Sequence, residues 1–419
     1  GMEMYSRLNF KESGSSYGQQ QLEQELEVEA FYVINSALSF FVQARLVQQD
    51  ELDSKHPDKV SDFYVERGEM WAYLKIPSAL PLVFEFGRLD FEDDRLWYWD
   101  TDLDALRLGT EGEQFSLEVA LAQELAPRQS GEHHVAAEED EVLRVIAEFS
   151  WDLSEEHALD LFFLNQDDNS PTGSAETPSH AFSEDPTDAH LRWFGARLSG
   201  AFEDQGRLLG YWIDASTVRG HETHESTAET ESPGDPPSVD LNVQNVQGWG
   251  ADAGVTLLMP WQHEPRITLA YAMTSGDDNS DDGTDRSFRQ TGLQDNQPGF
   301  GGVERFGAYG DALDPELSNL RIITAALGVS LMESSSIDLA YHHYELVHSA
   351  ESLRDSRIDA DLTGNDTDVG HGLDLVLGLE EWQTLQFRIS GSLFQAGRAF
   401  GRNEDEWIVG GNVVLKAAF

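Results

Sequence analysis

Residues Leu385-Gln386-Phe387-Arg388-Ile389-Ser390-Gly391-Ser392-Leu393 decide the fold: one set of alternate positions is apolar or glycine, the other polar or charged. Successive side chains of a strand point to opposite faces, so a period of two gathers the apolar groups on one side. A helix would scatter them. Membrane barrel strands show this pattern, apolar toward lipid and polar toward the lumen. The next segment repeats the rule, with Val409, Gly411, Val413, Leu415, Ala417 and Phe419 against Gly410, Asn412, Val414 and Lys416. Near the other end, Leu38, Phe40, Val42, Ala44 and Leu46 alternate with Ser39, Phe41, Gln43 and Arg45.

Working outward, about 18 such segments can be marked. They span 2–9, 22–34, 37–47, 62–76, 81–89, 104–110, 114–125, 141–153, 157–166, 190–202, 206–217, 247–259, 266–275, 318–332, 336–348, 370–380, 384–396 and 405–419. Short connections fall at 35–36, 77–80, 111–113, 154–156, 203–205, 260–265, 333–335 and 381–383. Long polar stretches lie between them, at 10–21, 48–61, 90–103, 126–140, 167–189, 218–246, 276–317 and 349–369. Short periplasmic turns alternating with long extracellular loops mark outer-membrane barrels. A soluble sandwich has no reason to alternate its loops so regularly. The fold class expected is all-β, a closed antiparallel transmembrane barrel forming one domain over 1–419. Closure follows from the solvent: in lipid every backbone N–H and C=O needs a partner within the protein. The last strand should therefore pair with the first, with both termini on the periplasmic side.

Composition bounds the function. The 419 residues carry a formal net charge of −50 and no cysteine. Disulfide frameworks and zinc fingers are excluded, and no basic patch is available for nucleic acid. The acidity suits either solubility in salt or an outer surface meeting divalent cations and charged lipid heads. The longest apolar runs, at 38–42 and 159–164, are strand-sized and far short of a membrane helix. Gly1-Met2-Glu3 shows neither a basic n-region nor an apolar h-region, which fits a cytoplasmic protein or a trimmed mature form. Trp71, Tyr73, Trp97, Tyr98, Trp99, Trp193, Tyr211, Trp212, Trp249, Trp261, Trp382 and Trp407 sit mostly near expected strand ends. The expectation is two aromatic girdles at the lipid–water interfaces.

Two segments carry a family likeness. The first is Gly87-Arg88 followed by Trp97-Tyr98-Trp99-Asp100-Thr101-Asp102-Leu103-Asp104-Ala105-Leu106. The second runs Phe288-Arg289-Gln290-Thr291-Gly292-Leu293-Gln294-Asp295-Asn296, then Arg305-Phe306-Gly307, then Glu316-Leu317-Ser318-Asn319-Leu320. The chain resembles the alginate export porins of bacterial outer membranes, with a weaker likeness through Phe387-Arg388 and Ser392-Leu393-Phe394 to the last strand. The resemblance implies an 18-stranded monomeric barrel in the outer membrane, passing an anionic exopolysaccharide through a narrow, arginine-lined lumen. It implies no cofactor, metal or catalytic residue. Its partners would be an anionic or neutral polysaccharide, outer-membrane lipid and lipopolysaccharide, and periplasmic export-complex proteins.

A polyuronate carries a carboxylate on each sugar, and the planar fork of arginine binds carboxylates bidentately. Strand parity turns Arg45, Lys75, Arg107, Arg388 and Lys416 inward. The resemblance places Arg388 at a lumen arginine, Asp100 and Asp102 at a lumen acidic and amide pair, and Arg305 with the same set. For each basic residue the alternative is a salt bridge bracing the wall. Arg88 shares parity with Leu82, Phe84 and Phe86, which would set it in lipid at about 2–4 kcal/mol near the midplane. Either Gly87 is a bulge that flips the register, which is favoured, or Arg88 lies beyond the hydrocarbon. Glu23, Glu25, Glu27 and Glu29 share the polar face of the second strand, and Glu27 and Gln297 stand where the family carries arginines. The family's long periplasmic connection before the penultimate strand is reduced here to a tight turn. These departures suggest a saccharide less anionic than alginate, or function in high salt.

Gly276-Asp277-Asp278-Asn279-Ser280-Asp281-Asp282-Gly283 has calcium-ligand residue types but no closing glutamate at EF-hand spacing, so a solvated loop is the preferred reading. His133-His134 and His342-His343 lack partners at metal-ligand spacing. The runner-up function is a general or oligosaccharide-uptake porin on the same fold. A rim-sited outer-membrane hydrolase is a third, for which no Ser–His arrangement stands out.

Overall fold

The computed structural model describes residues 2–13, 16–53, 61–77, 80–136, 139–168, 187–228, 238–279, 282–358 and 361–418. The strands are β1 (Met2–Ser13), β2 (Ser16–Asn35), β3 (Leu38–Asp53), β4 (Ser61–Ile76), β5 (Leu82–Glu92), β6 (Asp100–Glu111), β7 (Phe115–Ala122), β8 (Val142–Ser154), β9 (His157–Asp168) and β10 (Thr187–Asp204), followed by β11 (Arg207–Ala228), β12 (Ser238–Leu258), β13 (Arg266–Thr274), β14 (Thr284–Asp285), β15 (Leu320–Met332), β16 (Ser335–Leu346), β17 (Asp368–Trp382), β18 (Leu385–Ala396) and β19 (Trp407–Ala418). Strand β14 is a two-residue segment parallel to β12, inside a loop. The others pair antiparallel in chain order, and β1 pairs with β19 from Glu3↔Ala418 to Ser13↔Ile408. The ring of 18 wall strands therefore closes, as the solvent argument requires.

The short turns fall where alternation places them. Several of the long loops are shorter than expected, because their strands continue past the membrane, whereas those after β7, β13 and β16 are not. Strand β11 runs to Ala228 and β12 starts at Ser238, inside the expected loop 218–246. Beyond the lipid the outer face no longer needs apolar side chains, so the apolar period disappears from the sequence while the hydrogen-bond ladder continues.

The wall obeys the two-face rule. Phe194, Ile213, Leu269 and Leu327 point outward and are exposed, while Arg197, Asp214, Thr268 and Ala326 are buried inside. The interior is not an empty tube. Residues 93–99, parts of 286–319 and 353–362, and the 3₁₀ segment Arg398–Asn403 enter it and pack against the inner wall. One cluster joins Trp97, Tyr98 and Trp99 to Phe162, Trp193, Phe288, Tyr344 and Phe394.

This corrects the girdle expectation. Trp97, Tyr98, Trp99, Trp193 and Trp212 are buried in the interior, whereas Trp249, Trp261, Trp382 and Trp407 are exposed on the outer surface or rims. Sequence position near a strand end cannot separate an interfacial ring from one that a returning loop covers.

Candidate functional site

The bend at Gly87 shapes the site. Strand β4 pairs with β5 only as far as Met70↔Arg88, and β7 pairs with β6 only as far as Ala105↔Ala122. Strands β5 and β6 stay paired with each other up to Glu92↔Asp100. The tip of this hairpin, residues 88–104, therefore leaves the wall. It turns inward, since Leu89, Phe91 and Leu103 join the interior core. The segment after β7 crosses the gap: Gln129 bridges to Glu66, and the Arg67 amide donates to the Arg128 carbonyl at 2.9 Å.

Gly87 permits this with φ +130°, and a Cβ there would stand 2.1 Å from the Met70 carbonyl oxygen. The parity conflict of Arg88 is thus resolved differently from either expectation. Neither ladder shifts register at Gly87, so there is no register-flipping bulge. The face that would have met lipid is carried inside with the hairpin.

The hairpin tip is latched to the far wall. Arg197 on β10 donates to Asp214 and pairs with Asp93, both at 2.6 Å. Arg95 pairs with Asp214 at 3.0 Å and lies 4.2 Å over the Trp212 ring. The Trp97 indole donates to the Tyr309 hydroxyl at 2.8 Å. The stretch 288–296 is a second clamp: Gln290 and Asn296 exchange side-chain hydrogen bonds of 2.9 and 3.0 Å, and the Asn296 amide donates to the Leu96 carbonyl at 2.9 Å. On this side the charges are buried beside the packed aromatic cluster.

Partly exposed charges gather on the other side. Arg45 on β3 faces Glu27 at 3.8 Å, Glu66 at 3.7 Å and Asp102 at 3.5 Å. Arg388 on β18 faces Glu304 at 4.0 Å. Arg305 meets Glu92 at 2.6 Å and is half exposed. Asp100 is anchored through its amide to the Leu293 carbonyl at 2.6 Å. The hairpin tip links these charges, through Asp102 to Arg45 and through Glu92 to Arg305, while Glu304 in the 300–306 loop reaches Arg388.

Of the other expected residues, Arg107 faces inward as its parity requires, between the exposed Leu106 and Leu108. Arg88 is only 3% exposed, sealed against Glu124 at 2.8 Å. Arg107 is held by Glu85 at 2.8 Å and Glu118 at 3.6 Å, a wall brace. Lys75 stands exposed toward the periplasmic rim, where its amide meets the Ala37 carbonyl. Arg286 pairs with Asp277 and Asp282 in the acidic loop, where Ser280 and Asp281 lie outside the described residues. His342 is buried between Thr324 and Asp374, and His343 stacks on His371.

Glu304, Glu66 and Glu124, each facing one of these arginines, are not among the residues read from the sequence. Glu304 sits in an aperiodic segment that sets no side-chain direction, and Glu124 lies in the expected segment 114–125 but beyond the observed end of β7 at Ala122. Glu66 lies beside an irregularity between Val42 and Ala44 in the β3–β4 ladder. Burial raises the Glu304 carboxyl above its ordinary range, against the opposing pull of Arg388.

A family model described as alginate export matches residues 6–408. The alginate production protein AlgE of Pseudomonas aeruginosa is 26% identical over 375 residues, covering 84% of this chain and 74% of that protein. AlgE of Azotobacter vinelandii is 29% identical over 141 residues, 32% of this chain and 28% of that protein. Among solved structures, Pseudomonas aeruginosa OccD3 (OpdP) aligns at a TM-score of 0.61 and 10% identity over 99% of this chain and 90% of its own. OccK5 (OpdH) from the same organism aligns at 0.58 and 10% identity over 99% and 96%. At that identity the likeness concerns the fold alone.

Proposed function

Because the chain belongs to the alginate export family, we propose that it is a bacterial outer-membrane channel exporting an exopolysaccharide, whose path runs past the charges at Arg45, Arg388 and Arg305. The observation that carries this path is the looseness of two ion pairs. Arg45 and Arg388 stand 3.5–4.0 Å from their carboxylates, whereas Arg88, Arg107 and Arg305 make contacts of 2.6–2.8 Å. A guanidinium at 4.0 Å is attracted but not saturated by directed hydrogen bonds. A passing uronate can take over its N–H groups and then hand them back. Each site binds weakly enough for the chain to move on, which conduction requires.

The acidic surroundings set the substrate. Glu25, Glu27, Glu66, Asp102, Glu92 and Glu304 face Arg45, Arg305 and Arg388, so six carboxylates oppose three guanidinium groups. Like charges oppose a polyanion unless screened. The cargo is therefore a saccharide of lower charge density than alginate, or the channel works in high salt. One monomeric barrel domain over 1–419 performs this task, receiving cargo from periplasmic export-complex proteins at the short-turn rim.

Liposome efflux of defined polysaccharides, comparing the wild type with Arg388→Ala, tests the reading. The variant should release uronate-containing chains several-fold more slowly and neutral chains at an unchanged rate. Equal uronate flux would remove Arg388 from the path. Absence of flux for every polysaccharide, with small solutes still passing, would overturn the export assignment.

A further inference from the structure

The outer wall of β9–β12 carries a feature that export does not use. Arg192 and Arg219 are directly opposite each other on β10 and β11, and His190 and His221 occupy the next outward pair of the same ladder. Both arginines are exposed, between the buried Leu191, Trp193 and Val218, so they point away from the lumen. Like charges facing across a ladder repel.

No ion pair relieves these arginines among the described residues. Arg192 donates to the Asn165 side chain at 2.8 Å. The neighbouring carboxylates are engaged elsewhere, Asp167 with His190, and Asp277 and Asp282 with Arg286. Two surface grooves meet at Arg219. One holds Asn165, Asp167, His190, Arg192 and Phe194, the other Thr217, Gln247, Trp249, Arg286 and His348. In a chain of net charge −50, this concentration of cations needs an anion.

The level of the pair indicates which anion. Strand β10 descends toward the short turn at 205–206, so Arg192 stands one outward position above Phe194 on the extracellular side. Phe194 is 58% exposed, packs on Phe163 at 5.0 Å, and continues downward into the apolar belt with Leu161 and Ile213. Cations seated directly on an apolar shelf match a molecule that is anionic at its head and acylated below it. A free phosphate would make no use of the shelf.

We propose that this face docks a phosphorylated glycolipid of the outer leaflet. Its phosphate bridges Arg192 and Arg219, and its acyl chains lie along Phe163, Phe194 and Ile213.

The test is native mass spectrometry of the full chain released from detergent micelles. The probes are bisphosphorylated lipid A, the same lipid stripped of both phosphates, and inorganic phosphate as competitor. Wild type should retain one lipid A. An Arg192→Gln/Arg219→Gln double variant should bind it at least about tenfold more weakly, since two charge-assisted contacts are lost. Arg207→Gln, changed at the opposite rim, should bind like the wild type. Equal retention by the double variant and the wild type would overturn the proposal. If the double variant does not fold, the wild-type arms still decide. Equal retention of the phosphate-free lipid would overturn the proposal, and so would displacement of lipid A by millimolar inorganic phosphate, which would mark a plain anion site. Selective retention of the phosphorylated lipid would support it.

Discussion

At the scale of single residues, two positions carry disproportionate weight. Gly87 holds φ +130° with the Met70 carbonyl 2.1 Å from where a Cβ would stand, whereas a Cβ on Gly391 would meet nothing within 4 Å. Gly87→Ala should therefore destabilise the barrel by about 1–3 kcal/mol, read as a lower urea midpoint in lipid vesicles. Gly391→Ala should leave the midpoint in place. Equal behaviour of the two would mean that the bend does not depend on Gly87.

Glu304 is the second. Its carboxyl is raised by burial, so on acidification it takes up a proton earlier than an ordinary glutamate, whose value is about 4.3. The neutral form no longer holds Arg388. Uronate flux should then rise as pH falls toward that range from above. Glu304→Gln should show the raised flux already at neutral pH, with this pH response gone. A variant that kept the wild-type pH profile would show that another group titrates.

At the scale of elements, the β5–β6 hairpin is the part of the site that alternation could not reveal. The segment 385–393 yields its strand and its facing directly, because one side meets lipid and the other does not. Arg45, Arg388 and Glu27 inherit their inward direction from that rule. Residues 90–103 read as a polar loop, because the continuation of β5 and β6 bends into the barrel and never presents an apolar face to lipid. The fact that decides their environment is the clamp made by 288–296 and Arg197, remote in sequence. The same holds for Trp97, Tyr98 and Trp99, whose partners Phe162 and Phe288 come from other elements.

The latch can be tested as an element. Arg197→Met would leave Asp93 and Asp214 buried together with only Arg95 to compensate. Breaking such a buried pair typically costs about 3–5 kcal/mol, more than a hairpin tip held by a few further hydrogen bonds can absorb. The tip should loosen, and single-channel conductance should increase with added current noise. Unchanged conductance, with the barrel still folded on a heat-shift gel, would mean that the 288–296 clamp alone fixes the hairpin.

At the scale of the whole molecule, charge governs what the channel accepts. The net charge of −50 is spread over the chain, but the six carboxylates around Arg45, Arg305 and Arg388 place part of it on the proposed path. Their field reaches about 10 Å at 0.1 M salt and about 3 Å at 1 M. Planar-bilayer recordings should therefore show preference for potassium over chloride at 0.1 M that falls toward the bulk ratio at 1 M. Added polyuronate should block the current more strongly at 1 M than at 0.1 M, the reverse of what a positively charged lumen would give, because screening removes repulsion before it removes contacts at Arg45 and Arg388. Glu25→Gln, which removes one charge beside Arg45, should shift the 0.1 M selectivity toward chloride and strengthen the block there. Chloride preference in the wild type at 0.1 M would overturn the acidic-path reading, and with it the inference that the cargo carries less charge than alginate.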